Sequence, residues 1–247
     1  MNSTNKSDIY MDKSELLSRD EKDRVLKSIF SSGRKPEAYF LYQGKGAELY
    51  EAVVNDPKYV YYQRGKNLIT DNRGALQKFI GKNVVDHGSG TGEKADLLLR
   101  NIHKPVHYIA QDYSYEMTEL ARDTVAEHNS LVDTGEGVII KGKGSANNLT
   151  QGLEDSTFLW LGGTIDNFSP EEDVQTLREM GNTSYLKGNY VIFDAFTAPT
   201  AEELEQELLP AYKSASQIAR LENGLEILGL NKEDFEVQIE YIKDPKD

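Results

Sequence analysis

One short segment does most to limit what this chain can fold into. From Val84 to Glu93 it reads VVDHGSGTGE, so an apolar run leads directly into three alternating glycines. Glycine accepts backbone conformations and close approaches that a Cβ atom would forbid. A helix that begins after such a turn offers unpaired backbone N–H groups to a ligand. The segment therefore predicts a strand, a ligand-binding turn and a helix in succession.

The spacing of Gly88, Gly90 and Gly92 bears on which ligand the turn would hold. NAD-binding proteins carry Gly-x-Gly-x-x-Gly at this position, whereas here the pattern is Gly-x-Gly-x-Gly followed by Glu93. That form is associated with enzymes that use S-adenosylmethionine (SAM), which is accordingly the predicted cofactor. A dinucleotide site and a turn without any ligand are the alternatives that the motif leaves open.

Strand and helix patterns alternate from residue 83 onwards. The apolar segments are residues 84–86, 106–110, 137–140, 157–161 and 189–193. Helical spacing of apolar residues separates them, as at 115–128, and Ser169, Pro170 and Glu172 form a helix-start pattern. This alternation predicts an α/β fold with a doubly wound, Rossmann-like parallel sheet.

Three regions are expected along the chain. Residues 1–80 form a tyrosine-rich, helical segment that contributes to the substrate site, with helices at 14–30, 48–54 and 67–80. Residues 81–196 form the cofactor-binding domain. Residues 197–247 form a partial second lobe, with helices at 201–209 and 211–228 that meet at Pro210, and an alternating strand at 235–242.

The composition narrows the classes of partner and chemistry. The chain has 247 residues, a net charge of −13, no cysteine and four histidines. Nucleic acids and anionic membranes need a basic surface, so the acidity argues against both as partners. The absence of cysteine excludes a disulfide framework, and the scattered histidines do not indicate a metal site. No apolar run reaches ~18 residues, and no signal-peptide pattern is present, so we expect a cytoplasmic protein, taken to be a monomer.

Two acids and a lysine near the turn are candidate cofactor ligands. Asp112 ends the second predicted strand in the interval where a carboxylate can accept hydrogen bonds from ribose hydroxyls. Asp86 could face the ammonium group of the methionine part of SAM, and Lys94 could face its carboxylate. Each residue also has an ordinary interpretation, as a turn aspartate, a polar strand end and a solvated lysine respectively.

A second glycine-containing segment follows the fourth predicted strand. Gly162 and Gly163 permit close backbone approach, and the amide of Asn167 offers both a donor and an acceptor. Ligands bind beyond the carboxyl ends of the strands in a parallel sheet. We therefore predict that this segment contributes to the site, although a plain glycine turn before a capped helix is the alternative.

Four segments, in this order, resemble the histidine-specific, SAM-dependent methyltransferases. They are residues 42–50 (YQGKGAELY), 56–59 (DPKY), 86–94 (DHGSGTGEK) and 161–168 (LGGTIDNF). The resemblance runs from about residue 21 to the end of the chain. It implies a class I methyltransferase fold, and the best-known member of the family trimethylates the α-amine of histidine to give hercynine, the precursor of ergothioneine.

The resemblance also implies roles for individual residues. On the cofactor side it matches Gly88, Lys94 and Asp112, to which the turn adds Asp86, Gly90 and Gly92. On the substrate side Tyr59 matches a tyrosine near the imidazole, and Asn167 matches the asparagine that holds the amine and the carboxylate. Tyr212 matches a carboxylate-binding tyrosine, and Gly162 and Thr164 complete the predicted substrate set. Of these, Asn167 and Tyr59 are the predicted catalytic residues.

The chain departs from the family at three places. Lys143 stands where the family has an acid that touches the adenine, and a lysine cannot accept a hydrogen bond, so Asn147 or Asn148 substitutes or SAM binding is weaker. Asp166 stands where glycine is common and adds a charge beside the amine. The C-terminal residues that read the imidazole have no counterpart, so we expect a fragment or a shortened homologue with one exposed sheet edge.

These observations converge on a SAM-dependent N-methyltransferase that acts on the α-amine of a small-molecule amino acid, histidine first among them. The nucleophile would be the deprotonated amine, and neither a metal nor a covalent intermediate is required. The alternative is a non-catalytic or inactive SAM-binding homologue or fragment. An NAD-dependent oxidoreductase is a third hypothesis, which the glycine spacing disfavours.

Overall fold

A computed structural model describes residues 18–29, 38–135, 137–139, 153–162, 170–183, 190–195, 200–236 and 239. The chain divides into two compact units. Residues 61–196 form the first, called the sheet unit below. Residues up to 60 and from 197 onwards form the second, called the helical unit. The structure thus groups residues 61–80 with the sheet, whereas the sequence places the first boundary near residue 80.

The sheet unit contains six parallel strands within the described residues. They are β1 (Asn83–His87), β2 (Val106–Asp112), β3 (Val132–Thr134), β4 (Val138–Ile139), β5 (Ser156–Trp160) and β6 (Tyr190–Phe193). Their order is β3-β2-β1-β5-β6, and β4 also pairs with β2. The order changes direction between β1 and β5, which is the switch point of a doubly wound fold. The predicted fold class is confirmed.

The region after residue 128 differs from the sequence prediction. Of the expected strand at 137–140, residues 138 and 139 form β4, residue 137 is not part of it, and residue 140 lies outside the described residues; β3 precedes β4. Pattern analysis missed β3 because three residues, one of them an exposed aspartate, show neither alternation nor an apolar run. The parallel pairing of β3 with β2 stabilises this short strand.

Nine α-helices lie in the part of the chain that the structure describes. They are α1 (Arg19–Ile29), α2 (Gly46–Val54), α3 (Val60–Leu76), α4 (Glu93–Leu99), α5 (Tyr115–His128), α6 (Pro170–Thr183), α7 (Ala201–Glu203), α8 (Leu209–Tyr212) and α9 (Ala215–Ile227). A π-helical segment (Leu204–Leu208) links α7 to α8, and short 3-10 turns occupy Ala38–Tyr42, Gln77–Phe79 and Lys232–Asp234. None of the described helices is long and apolar enough to cross a membrane.

Two predictions for the C-terminal region differ from the structure at the residues that it describes. The helices do not meet at Pro210, which lies inside a continuous helical run that passes from α7 through the π-helical segment into α8. The break comes at Ser214, whose hydroxyl accepts a hydrogen bond from the Gln217 N–H and caps α9. The expected strand at 235–242 is absent at Phe235, Glu236 and Ile239, its only described residues.

Alternate residues of the central strands feed two hydrophobic layers. Val84, Tyr108 and Leu159 pack with Leu98 of α4 and Val125 of α5 on one face. The opposite face holds a second buried set, made by Val85, Phe158, Trp160 and Met180. Burial on both faces explains why these strands read as continuous apolar runs. It also leaves the polar residues at the carboxyl ends of the strands as the place for a ligand.

The helical unit has a core of its own. Val25, Phe40, Ile227 and Leu228 form a buried apolar cluster that joins α1 and the Ala38–Tyr42 turn to the end of α9. Gly224 permits this packing, since a Cβ atom there would lie 2.7 Å from side-chain atoms of Phe40 and Leu41. Gly224 thus lets the Ala38–Tyr42 turn pack directly against α9.

Candidate functional site

The glycine turn has the backbone that its sequence predicts. Gly88, Gly90 and Gly92 have φ angles of 74°, 52° and 76°, all in the left-handed region that favours glycine. A Cβ atom on Gly92 would lie 2.6 Å from Cα of Ala121 in α5, so this glycine is also required for packing. A Cβ atom on Gly90 would meet no atom within 4 Å. Gly90 therefore borders open space that a ligand could enter.

Backbone hydrogen bonds tie this turn to the end of β2. The N–H groups of Gly88 and Ser89 donate to the carbonyl oxygen of Gln111 at 2.8 and 2.9 Å. The Gly90 N–H donates to Oδ2 of Asp112 at 2.9 Å. These hydrogen bonds join the glycine turn to Asp112, the residue predicted to bind ribose, at the carboxyl ends of β1 and β2.

Asp112 is buried and suited to bind hydroxyl groups. Its Oδ1 accepts a hydrogen bond from the Ser114 N–H at 3.1 Å, and only 8% of the residue is exposed. Burial raises the pKa of Asp112, and the N–H donors of Gly90, Ser114 and Tyr113 lower it in part. Each carboxylate oxygen has a further lone pair. Asp112 can therefore accept hydrogen bonds from a ribose while it holds the turn.

Asp86 lies at the end of β1 in a buried position. The Tyr108 hydroxyl donates to its Oδ2 at 2.7 Å. The pKa of Asp86 is raised to about 7, mainly by burial; the nearby charges of Asp112 and Asp194 also raise it, whereas the Tyr108 hydrogen bond and Lys94 lower it. A cationic group beside Asp86 would favour its ionised form. The position fits the ammonium that the sequence assigns to it.

Lys94 has a partner that the sequence did not reveal. Its ammonium, on the first turn of α4, forms an ion pair with Asp194, and the other oxygen of Asp194 accepts the Gly162 N–H at 2.6 Å. A Cβ atom on Gly65 of α3 would lie 2.6 Å from Nζ of Lys94, so a glycine within this helix makes room for the ammonium. The position of Asp194 directly after β6 is the signal that could have found it, because sites lie beyond strand ends.

Glu93 is a second residue that sequence reasoning did not assign. Its Oε2 accepts hydrogen bonds from the Tyr62 hydroxyl at 3.0 Å and from Nζ of Lys66 at 2.9 Å. The Tyr62 ring also lies 5.6 Å from the ammonium of Lys94. These contacts fix α3 against the start of α4, and no local sequence pattern indicates them.

The predicted substrate residues Tyr59 and Tyr212 both lie in the helical unit, and the structure brings them together. Their ring centroids are 6.3 Å apart with the ring planes at 90°. Burial raises the pKa of Tyr59 well above its usual value, and neighbouring Tyr212 adds to the shift. Tyr59 is therefore a neutral phenol at physiological pH, able to hydrogen-bond but not to act as a base.

Four predicted site residues remain, and the structure describes one of them. Gly162 is described, at the end of β5 with a φ of 86°. Lys143, Thr164 and Asn167 lie outside the described residues. Within the described ranges, no group of three or more histidine, aspartate or glutamate side chains could hold a metal ion.

Comparison with known proteins decides the family. The sequence model of the family described as "Histidine-specific methyltransferase, SAM-dependent" matches residues 21–241. The chain belongs to this family. The resemblance predicted from the four segments is thus confirmed, as are the SAM cofactor and the class of enzyme, and the dinucleotide alternative falls.

A curated relative is more distant. N-methyltransferase imqF of Aspergillus flavus is 25% identical over 171 residues, which cover 64% of this chain and 46% of that protein. The chain thus spans about half the length of the curated relative that it matches.

Two solved structures superpose on parts of the chain. Magnesium protoporphyrin IX methyltransferase from Synechocystis, solved with bound SAH, superposes with a TM-score of 0.48 at 14% identity, over 78% of this chain and 88% of that chain. A Bordetella parapertussis structure, described as that of a possible exported protein, gives a TM-score of 0.50 at 16% identity, over 85% and 80% of the chains. The second likeness supports the fold alone.

The residues present in the sheet unit fit SAM. The left-handed glycine turn leaves space at Gly90, and Asp112 has acceptor capacity for ribose hydroxyls. Asp86 lies close enough to Asp112 and Lys94 for their charges to change its pKa. The residues of the sheet unit are therefore compatible with the SAM dependence that the description of the family states.

Proposed function

We propose that this protein methylates the α-amine of a free amino acid, with histidine as the first candidate and hercynine as the product, in an ergothioneine-type pathway. The observation that carries the proposal is the Tyr59–Tyr212 pair, in which two residues assigned to the substrate from separate parts of the sequence lie in contact. The description of the family and the N-methyltransferase name of the Aspergillus relative support transfer to nitrogen.

The cofactor side of the proposal assigns one task to each residue. SAM, when bound, supplies an electrophilic methyl group. Asp112 holds the ribose hydroxyls, Asp86 holds an ammonium group, and Gly88, Gly90 and Gly92 let the backbone approach the ligand. Lys94 binds the cofactor carboxylate, and its pairing with Asp194 fixes its position. Lys143, which we also assign to the cofactor side, would lie near the adenine.

The substrate side depends on orientation more than on acid–base chemistry. The amine must be deprotonated before it attacks, and correct alignment of reacting groups contributes up to ~7–11 kcal/mol in such reactions. We propose that Asn167 and Tyr212 hold the amino-acid head, that Tyr59 faces the imidazole, and that Gly162 and Thr164 shape the backbone around them. Because Tyr59 is neutral, its role is to position the substrate. A monomer in the cytoplasm remains our expectation.

The test is a binding measurement followed by an activity screen. Calorimetry should show SAM binding, and incubation with SAM and each common amino acid should yield a methylated product by mass spectrometry, with histidine the best substrate. SAM binding without methylation of any amine would identify the protein as a non-catalytic homologue. No SAM binding would contradict the cofactor site itself.

A further inference from the structure

Arg220 is a buried cation in the helical unit that no sequence motif singles out. It lies in the middle of α9, and only 7% of the residue is exposed. Arginine is seldom buried to this extent unless a carboxylate or another anion pairs with it. The surroundings of its guanidinium therefore indicate what it does.

Two tyrosines flank the guanidinium. Its Cζ lies 4.3 Å from the ring centroid of Tyr42 and 5.2 Å from that of Tyr50. The two rings contact each other edge to face, with centroids 5.2 Å apart. Contacts with aromatic rings engage the faces of the guanidinium. The N–H groups point outwards in its plane, so these contacts leave the donors available.

The hydrogen bonds of Arg220 are few for a buried charge. Nη1 donates to Oε1 of Gln217 at 3.5 Å, the limit of a hydrogen bond, and Nε is buried without a partner. No carboxylate forms an ion pair with this guanidinium within the described residues. A buried charge without a countercharge is costly. The arrangement therefore favours an anion supplied by a ligand.

The geometry of the donors selects the kind of anion. The planar fork of a guanidinium matches a carboxylate with two parallel N–H···O hydrogen bonds. Burial raises the pKa of Tyr59, and the charge of Arg220 offsets part of this effect, so the guanidinium lies within electrostatic reach of Tyr59. A cation without a carboxylate partner among the described residues thus acts on one of the two predicted substrate tyrosines.

We propose that Arg220 binds the carboxylate of the substrate, and that Tyr42 and Tyr50 hold its guanidinium in place. This inference rests on the proposed function, because it deepens the substrate site of an amino-acid methyltransferase. It assigns the main carboxylate contact to Arg220, with Tyr212 as a secondary, neutral contact. Amino acids without a free α-carboxylate are then poor substrates.

The experiment compares ligands that differ only in the carboxylate. Initial rates are measured with histidine, histidinamide and histamine, for the unmodified protein and for Arg220→Gln and Arg220→Lys. We expect the unmodified protein to favour histidine over histidinamide by about 10- to 100-fold in kcat/KM, the range for a hydrogen-bonded charged partner. Arg220→Gln should abolish this preference mainly through KM, and Arg220→Lys should retain part of it.

Two controls separate binding from folding. Arg19→Gln makes the same change at an exposed position of the same unit and should keep the preference. The SAM affinity and the thermal unfolding midpoint of Arg220→Gln should stay close to those of the unmodified protein. If Arg220→Gln does not fold, the rates of the unmodified protein and of Arg220→Lys with histidine and histidinamide still test whether Arg220 binds the carboxylate.

The outcomes distinguish this inference from the proposed function. Equal rates with histidine and histidinamide would overturn the role of Arg220 but leave N-methylation intact, and would make the Tyr42–Arg220–Tyr50 contact purely structural. Methylation of another amino acid with the same dependence on Arg220 and on a free carboxylate would support the inference and remove histidine as the substrate. No methylation of any amino acid would overturn both.

Discussion

The two units would build their proposed ligand sites by different means. In the sheet unit, backbone conformation makes the site: three left-handed glycines and two strand ends place N–H groups and carboxylates. In the helical unit, side chains make it, through four tyrosines and one arginine drawn from distant positions. Backbone sites leave a local sequence pattern, and side-chain clusters do not. The difference explains why the cofactor is easier to predict than the substrate.

The glycines give the largest expected effect and test the backbone side of this comparison. Gly92→Ala adds a Cβ atom 2.6 Å from Cα of Ala121 at a positive φ, and should destabilise the protein by about 2–5 kcal/mol. Gly90→Ala meets no such contact and should cost only ~1–2 kcal/mol, while it still impairs SAM binding. Urea unfolding and calorimetry measure the two effects. Equal unfolding free energies for the two variants would contradict the packing role of Gly92.

Substitution of Asp112 tests whether the residue that holds the glycine turn also binds the ribose. Asp112→Asn leaves a single acceptor oxygen for the N–H groups of Gly90 and Ser114 and for the ribose. We expect the SAM affinity to fall by roughly 10- to 100-fold, as measured by calorimetry. Asp133→Asn, in β3 and exposed, is the matched control and should bind SAM normally. An unchanged affinity in Asp112→Asn would separate the glycine turn from ribose recognition.

Asp86 gives a pH dependence that belongs to the sheet unit alone. Its pKa is about 7 in the folded protein, against about 4 in an unfolded chain. Between these values the folded state binds more protons than the unfolded state, so this residue lowers the free energy of unfolding as pH rises from about 4 to 7. Urea unfolding across this range should show a smaller decline in Asp86→Asn. Parallel curves for the two proteins would contradict the buried, protonated carboxyl.

The Tyr59–Tyr212 pair gives the smallest expected effect. Tyr59→Phe and Tyr212→Phe each remove one neutral hydroxyl but keep the ring, and should raise the KM for the amino acid by roughly 2- to 12-fold. The SAM affinity should not change. Tyr190→Phe, at an exposed position of β6, is the control. A loss of SAM affinity in either variant would contradict the assignment of this tyrosine pair to the substrate alone.

Much of the fold followed from the sequence where periodicity was strong. The predicted bounds of α5 agree with the structure, and β1, β2, β5 and β6 lie within one or two residues of prediction, because buried strands and amphipathic helices each have a distinct pattern. Pro210 misled because a proline usually ends or kinks a helix, whereas here a π-helical segment precedes it and the helical run continues to Tyr212.

The candidate site was predictable only in its local part. Asp112 could be assigned from its distance along the chain to the glycines, since that distance reflects one βαβ unit. Asp194 and Arg220 could not, because their partners are far away in the sequence: Lys94 is 100 residues from Asp194, and Tyr42 and Tyr50 precede α9 by most of the chain. Such contacts arise only when the chain folds.

Gly65, in the interior of α3, limits which residues can occupy two positions in other sequences with this fold. A helix-interior glycine costs ~1 kcal/mol relative to alanine, and here its lack of a side chain leaves room for the Lys94 ammonium. The size of residue 65 and the length of residue 94 are therefore coupled. Homologues should show covariation of the two positions, with glycine accompanying lysine and alanine accompanying a shorter side chain.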